Sequence, residues 1–174
     1  MKNVVLLGYM GCGKSSVGKF LAKDKKMRYL DLDDYIEEKE QLPIKDIFKQ
    51  KGEIYFRKIE TLYLKECLDS FSNTILSLGG GTPCFGENMN SIVSNKNATS
   101  FYLQTSITEL TKRLFTERAK RPLIAHAKTT EELQEFIGKH IFERLNFYTK
   151  ANHTLITDGK TIEQIVKEAK DKME

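Results

Sequence analysis

LLGYMGCGKSSVGKFLA, residues 6–22, decides the fold. Gly8, four intervening residues and then Gly13-Lys14-Ser15 form a complete G-x-x-x-x-G-K-S turn. The apolar run Val4–Leu7 precedes it as a strand, and Val17, Phe20 and Leu21 share one helix face after it. Strand, glycine turn and helix in that order form the setting in which such a turn holds a triphosphate. The glycines let successive N–H groups point at phosphate oxygens, and the helix aims its positive end at the same spot. Lys14 is expected to reach the β- and γ-phosphates, and the Ser15 hydroxyl to ligate Mg²⁺. The bland alternative is a glycine turn of no chemical consequence; the flanking strand and helix count against it.

Four more β-type segments follow: Met27–Asp31, Thr74–Leu78, Thr99–Leu103 and Thr154–Thr157. Helical patterns separate them. Ile44, Ile47 and Phe48 form one apolar face after Pro43, and Phe56, Ile59, Tyr63 and Cys67 form the next. Ile107, Leu110 and Leu114 repeat the pattern, and Ile162, Ile165, Val166 and Ala169 close the chain. Strands alternating with helices predict an α/β fold around a mainly parallel sheet. Ligands in such sheets sit at the carboxyl ends of the strands.

The 174 residues suit one domain with a real core, spanning residues 1–174. The chain is 40% hydrophobic and 30% charged, with a net charge of +4. That charge favours anionic ligands. Basic and acidic residues alternate, so the dense basic blocks of a nucleic-acid binder are missing. Cys12, Cys67 and Cys84 form no C-x-x-C pair and no metal-ligand spacing with a His, which points to a reducing cytoplasm. Val4–Leu7 is too short for a signal peptide core, and no run reaches membrane-spanning length, so no membrane partner is expected.

The class of nucleotide protein narrows by elimination. A guanine reader should carry N-K-x-D; Asn95-Lys96-Asn97-Ala98 lacks the acid. The signature of a transporter-type ATPase, LSGGQ, is missing too. The third strand ends in Gly79-Gly80-Gly81, with no acid for the metal. Asp31, Asp33 and Asp34, at the end of the second strand, supply one on the same side as the P-loop. Alternation sends Asp31 and Asp33 the same way. Two such carboxylates suit holding Mg²⁺ waters and orienting or deprotonating an acceptor hydroxyl. The alternative is capping: Asp33 or Asp34 as N-cap, with Asp34 and Glu37 at capping-box spacing.

GEIYFRKIE, residues 52–60, puts Arg57 between Glu53 and Glu60 on one helix face, which alone reads as a solvated salt-bridge face. The three glycines that follow the third strand permit close backbone approach to a ligand. ERAKRPLI, residues 117–124, reads as a lid carrying an arginine towards the γ-phosphate; its bland alternative is a solvated loop. Arg144 and Tyr148 stand one helical turn apart, a spacing that also suits an arginine covering an aromatic ring.

Taken together these motifs resemble the shikimate kinase family, over nearly the whole length. The matching set is Gly8–Ser15, Asp31-x-Asp33, Gly52-Glu53-x-x-Phe56-Arg57, Gly79–Gly81, Arg121-Pro122-Leu123 and Arg144-x-x-x-Tyr148. The P-loop alone is generic; the ordered set of six is specific. The resemblance implies a three-layer P-loop kinase fold: a five-stranded parallel sheet flanked by helices, a substrate-binding helical region over about residues 32–62 and a mobile lid over about 112–128. It implies that Gly11, Cys12, Gly13, Lys14, Ser15 and Ser16 bind ATP phosphates, with Ser15 on Mg²⁺ and Asp31 reaching the ion through water. It implies that Asp33 meets the acceptor hydroxyl, that Arg57 and Arg144 clamp the shikimate carboxylate, that Glu60 holds Arg57, and that Gly79, Gly80 and Gly81 meet the substrate. Arg121 becomes the lid arginine, catalytic with Lys14 and Asp33. Arg113 stacks on adenine, with Arg118 as its rival, and residues 157–160 flank the base. The implied reaction moves the ATP γ-phosphoryl group to the 3-hydroxyl of shikimate, in a monomer. A sugar-acid kinase of the same branch and a non-catalytic nucleotide-controlled module are the alternatives.

Overall fold

A computed structural model describes residues 2–173. Its strands are β1 (Asn3–Leu7), β2 (Arg28–Asp31), β3 (Thr74–Ser77), β4 (Ala98–Gln104) and β5 (His153–Ile156). Its helices are α1 (Lys14–Lys25), α2 (Leu32–Glu40), α3 (Ile44–Ser70), α4 (Asn88–Ser94), α5 (Ile107–Glu117), α6 (Thr130–Tyr148) and α7 (Ile162–Met173). The strands form one parallel sheet in the order β2-β3-β1-β4-β5. The expected α/β sandwich with a five-stranded parallel sheet is therefore what the chain adopts.

Alternation along β1 builds both layers. Val4 and Leu6 turn to a core shared with Val17, Leu21, Leu110, Leu114, Ile137 and Ile165 of α1, α5, α6 and α7. Val5 and Leu7 turn the other way, to Ile36, Ile47, Phe56, Leu64 and Ile92 of α2, α3 and α4. A central strand covered on both faces reads as a continuous apolar run, which is why VVLL stands before the P-loop. Among the described residues no helix is long and apolar enough to cross a membrane.

Several local expectations shift. Phe20 is 40% exposed, while α1 buries Val17, Gly18, Leu21 and Ala22. The buried stripe runs between the 17/21 and 18/22 rows, and Phe20 falls off its edge. The two apolar patterns after Pro43 belong to α3, which breaks at Gly52, φ 84° and ψ 171°. That backbone region is open to glycine and little else. The stretch 112–128 divides into three parts. It takes in the end of α5, a short 3₁₀ turn at Arg118–Lys120, and a segment in which Ile124 and Ala127 are buried in the α5–α6 core. Those two apolar anchors tie the segment down, while Ala119, Lys120, Pro122 and Leu123 before them and Ala125, His126 and Lys128 around them are exposed.

Candidate active site

The site forms along the carboxyl edge of the sheet, where β2, β3 and β1 lie side by side. Leu6, Ser77 and Asp31 stand in register across them. The P-loop leaves β1 through Gly8, φ 143°, whose Cβ, were one present, would lie 2.7 Å from the Leu103 carbonyl oxygen on β4. Gly8 therefore buys the tight exit from the sheet that brings the loop back over α1. Helix α1 has no side-chain cap and no acid in its first turn, so its positive end is uncompensated. Lys14 curls back, its Nζ donating to the carbonyls of Gly8 at 2.9 Å and Tyr9 at 3.1 Å. Cys12 is buried beneath, its Sγ 3.7 Å from Lys14 Nζ, filling the loop's underside.

The acids lie where the second strand turns into α2. Strand β2 ends at Asp31, and Asp33 is already in the helix's first turn. Their shared direction therefore comes from the strand–helix junction, not from alternation along a strand. Asp31 is the N-cap, its Oδ1 accepting from the Asp33 amide at 3.0 Å. The capping alternative thus falls to Asp31 and leaves the Asp33 carboxylate uncommitted. Glu37, expected in a capping box with Asp34, accepts instead from the Ile44 amide at 2.7 Å and so joins α2 to α3. Burial, then the nearby charges of Asp31 and Glu60, pushes the Asp33 carboxyl up to about 7 against the pull of Lys14. Burial raises Asp31 as well. This corner carries more negative charge than its one lysine neutralises.

The three glycines after β3 are where the other side chains converge. A Cβ at Gly79 would lie 3.1 Å from Asp33 Oδ1. At Gly80 it would lie 3.1 Å from Arg144 Nη1 and 3.5 Å from the Gly8 carbonyl oxygen. At Gly81 it would meet Arg57 Nη2 at 3.1 Å and Arg144 Nη2 at 3.6 Å. Two guanidinium groups from α3 and α6 thus face one backbone turn, with a half-buried carboxylate beside it.

Each arginine is held from behind. Arg57 Nη1 donates to Glu60 Oε2 at 2.8 Å, and the Glu60 side chain is 2% exposed. The contact to Glu53, at 3.8 Å with Glu53 71% exposed, is the weak partner. The plain salt-bridge face is therefore only half of this helix turn. Thr82 donates its hydroxyl to the other Glu60 oxygen at 2.6 Å, and Asn88 Nδ2 holds the Thr82 carbonyl at 2.9 Å. Sequence reasoning gave Thr82 and Asn88 no part; a hydroxyl directly after the glycines, opposite a buried acid, is their one signal. Arg144 lies 5.6 Å from the Tyr9 ring centroid, and Tyr148 donates to the Gly80 carbonyl at 2.6 Å. Tyr148 thus pins the glycine turn itself.

A cleft of about 490 Å³ runs along this edge, lined by Lys14, Ser15, Asp31, Asp33, Arg113 and Arg121 among others. Ser16 and Gly11 line it too. A second cleft of about 240 Å³, beside the P-loop helix, is lined by Gly13, Arg113, Thr157 and Lys160. Arg113 faces both, and its Nη1 donates to the Gly11 carbonyl at 3.1 Å. Arg118 faces neither cleft; it donates to the Phe115 carbonyl at 2.6 Å and lies over the Phe115 ring. Arg121 pairs with Glu117 at 2.7 Å at the cleft mouth.

A P-loop, a half-buried acid and two arginines thus meet on one sheet edge. A family model described as shikimate kinase matches residues 10–174. The shikimate kinase of Flavobacterium johnsoniae is 46% identical over 171 residues, covering 98% of each chain. The crystal structure of the Bacteroides thetaiotaomicron shikimate kinase superposes with a TM-score of 0.88 at 33% identity, covering 99% of this chain and 98% of that one. The Acinetobacter baumannii shikimate kinase in complex with shikimate superposes at 0.83 with 27% identity, covering 99% and 93%. The chain belongs to the shikimate kinase family of ATP-dependent kinases.

Proposed function

We propose that the chain transfers the ATP γ-phosphoryl group to the 3-hydroxyl of shikimate, giving shikimate 3-phosphate and ADP. The convergence of Arg57, Arg144 and Asp33 on Gly79–Gly81, beside the P-loop, carries this reading. Guanidinium forks suit a planar carboxylate. A side-chain-free turn suits a ring that must lie close to backbone. Asp33, with a carboxyl near neutrality, suits a group that orients or accepts the proton of the attacking hydroxyl. Phosphoryl transfer needs positioning and charge stabilisation above all.

In this reading Lys14 and the P-loop amides hold the β- and γ-phosphates, and Arg121 leaves Glu117 for the transferring group. Arg113 stacks on adenine, the base lying in the second cleft against Thr157 and Lys160. The donor set fits Mg²⁺, with a Ser15 hydroxyl as ligand and Asp31 acting through water. Among the described residues no cluster of His, Cys, Asp and Glu suffices to hold an ion unaided. Mg²⁺ at such sites keeps several waters and shares phosphate oxygens. When bound it would neutralise phosphate charge and offset the excess acidity at Asp31 and Asp33. A monomer acts in this reading, and three free cysteines suit the cytoplasm.

The test is ADP release with Mg·ATP and a panel holding shikimate, gluconate-type sugar acids and a blank. Shikimate-dependent release supports the reading; release no greater than the blank overturns it, and release with a sugar acid alone selects the related kinase. Arg144→Lys should raise the shikimate KM far more than the ATP KM, because the bidentate fork is lost. Equal effects on both would remove Arg144 from the carboxylate.

A further inference from the structure

Tyr9 follows Gly8 in the P-loop and is 2% exposed. Its hydroxyl shares a 3.0 Å hydrogen bond with His140 Nδ1 on α6. The two rings meet edge to face, with centroids 5.6 Å apart and planes at 82°. Arg144, one turn further along the same helix face, sets its guanidinium 5.6 Å from the centroid of that same Tyr9 ring. Helix α6 therefore grips Tyr9 at two points, an imidazole on the hydroxyl and a guanidinium against the ring. On the loop side, the Tyr9 carbonyl accepts from Lys14 Nζ at 3.1 Å.

One residue thus touches both halves of the site, the phosphate lysine through its backbone and the acceptor arginine through its ring. The charged groups that His140 feels are Arg144 and Glu143, both on α6, while the Phe136 ring packs against it with centroids 5.4 Å apart. Burial and Arg144 lower the His140 pKa, and burial pushes the Tyr9 phenol up to about 12. The hydrogen bond thus joins an imidazole nitrogen to a phenol, the donor being set by the imidazole tautomer. Losing His140 would strand a buried hydroxyl, and the ring it carries would have to move to find a partner.

We propose that His140 is a positioning residue of the phosphoryl transfer: through its hydrogen bond to Tyr9 it fixes the ring on which the Arg144 guanidinium is seated, coupling the acceptor clamp to the phosphate loop. This rests on the assignment of Arg144 to the shikimate carboxylate. A residue acting only on folding would lower the melting temperature and the active fraction. It would not separate the two Michaelis constants.

The experiment measures shikimate KM, ATP KM, kcat and melting temperature for His140→Leu, His140→Asn, Tyr9→Phe, the His140→Leu/Tyr9→Phe double variant and Arg144→Lys. His140→Leu and Tyr9→Phe should each raise the shikimate KM about three- to tenfold, the worth of one hydrogen bond, and leave the ATP KM within about twofold. His140→Asn, which carries a polar atom near the Nδ1 position, should restore most of the loss. The double variant should cost no more than the worse single one, since one bond is removed in each case. A shikimate KM unmoved by both single variants, with Arg144→Lys raising it, overturns the role of His140 alone. An unmoved KM in Arg144→Lys overturns the clamp and this proposal with it. Parallel rises in both Michaelis constants, or no rescue by Asn in a folded protein, also overturn it. Should His140→Leu fail to fold, Tyr9→Phe reads the same bond.

Discussion

Replacing Asp33 by Asn removes a charge and keeps the shape, so it isolates what the half-buried carboxylate costs the fold. In the native chain burial and the neighbouring Asp31 and Glu60 push this carboxyl up to about 7. In the unfolded chain it titrates near the ordinary aspartate value of about 3.9. Between those values, across about three pH units, the native carboxyl holds a proton that the unfolded one has released. The native state then binds more protons, so stability is full below about pH 4 and is lost as pH rises towards about 7. At about 1.4 kcal/mol per pH unit, ionising Asp33 costs about 4 kcal/mol by about pH 8. Asn cannot ionise and escapes that cost. The Asp33→Asn variant should match the parent near about pH 4 and exceed its stability by about 3–4 kcal/mol near about pH 8, or about 6–15 °C in melting temperature. Denaturant unfolding across that range, without nucleotide or Mg²⁺, reads the difference directly. The same variant should lose at least about a hundredfold in kcat. Equal or lower stability at the alkaline end would refute the reasoning, because the attraction of Lys14 would then outweigh burial. Near-normal turnover would remove Asp33 from the reaction.

Gly80→Ala sets a methyl group 3.1 Å from Arg144 Nη1 while the neighbouring P-loop atoms stay at 3.5 Å or more. The flexible arginine end yields, so the shikimate KM should rise about tenfold with little change in melting temperature, by steady-state kinetics and thermal unfolding. Glu60→Gln removes the buried charge behind Arg57 and should cost about 2 kcal/mol of stability, measured by urea unfolding, together with a raised shikimate KM. Arg113→Ala should raise the ATP KM several-fold more than Arg118→Ala; the reverse order would hand the adenine contact to Arg118.

The parts of this site that depend on local pattern were readable before any coordinates. Gly8–Ser15 needs its glycines and lysine at fixed spacing, so the spacing announces the loop. Alternating strands and amphipathic helices announced the sheet for the same reason. Asp33 was readable as a residue but not in its setting, since the junction at Asp31 depends on which acid wins the cap. Arg57 shows the opposite limit. Its i+3 partner was visible, yet burial turns Glu60 from a surface partner into a fixed anchor, and the Thr82 hydroxyl that holds it lies 22 residues further along the chain. Tyr9 and His140 are 131 residues apart. No periodicity links residues that only the fold brings together. Ile124 and Ala127 likewise look like loop residues until α6 offers them a core.

The absence of an acid at the end of β3 follows from the same geometry. Strand β3 lies between β2 and β1, so the turn after it lies between Asp31–Asp33 on one side and the P-loop on the other. In the proposed reaction, an acceptor hydroxyl that must meet both an acid and a phosphoryl group would have this turn as its floor. A carboxylate rising from β3 would occupy that floor and repel the incoming phosphate. The fold instead ends β3 at Ser77, which is 1% exposed, moves the acid one strand over to Asp31, and leaves three residues without side chains. Each of the three then faces a different element: Gly79 meets α2 through Asp33, Gly80 meets α6 through Arg144, and Gly81 meets α3 through Arg57. The turn is thus the common surface on which three independently placed helices register their functional side chains. In the proposed reaction, a substrate resting on it would be aligned to all three at once.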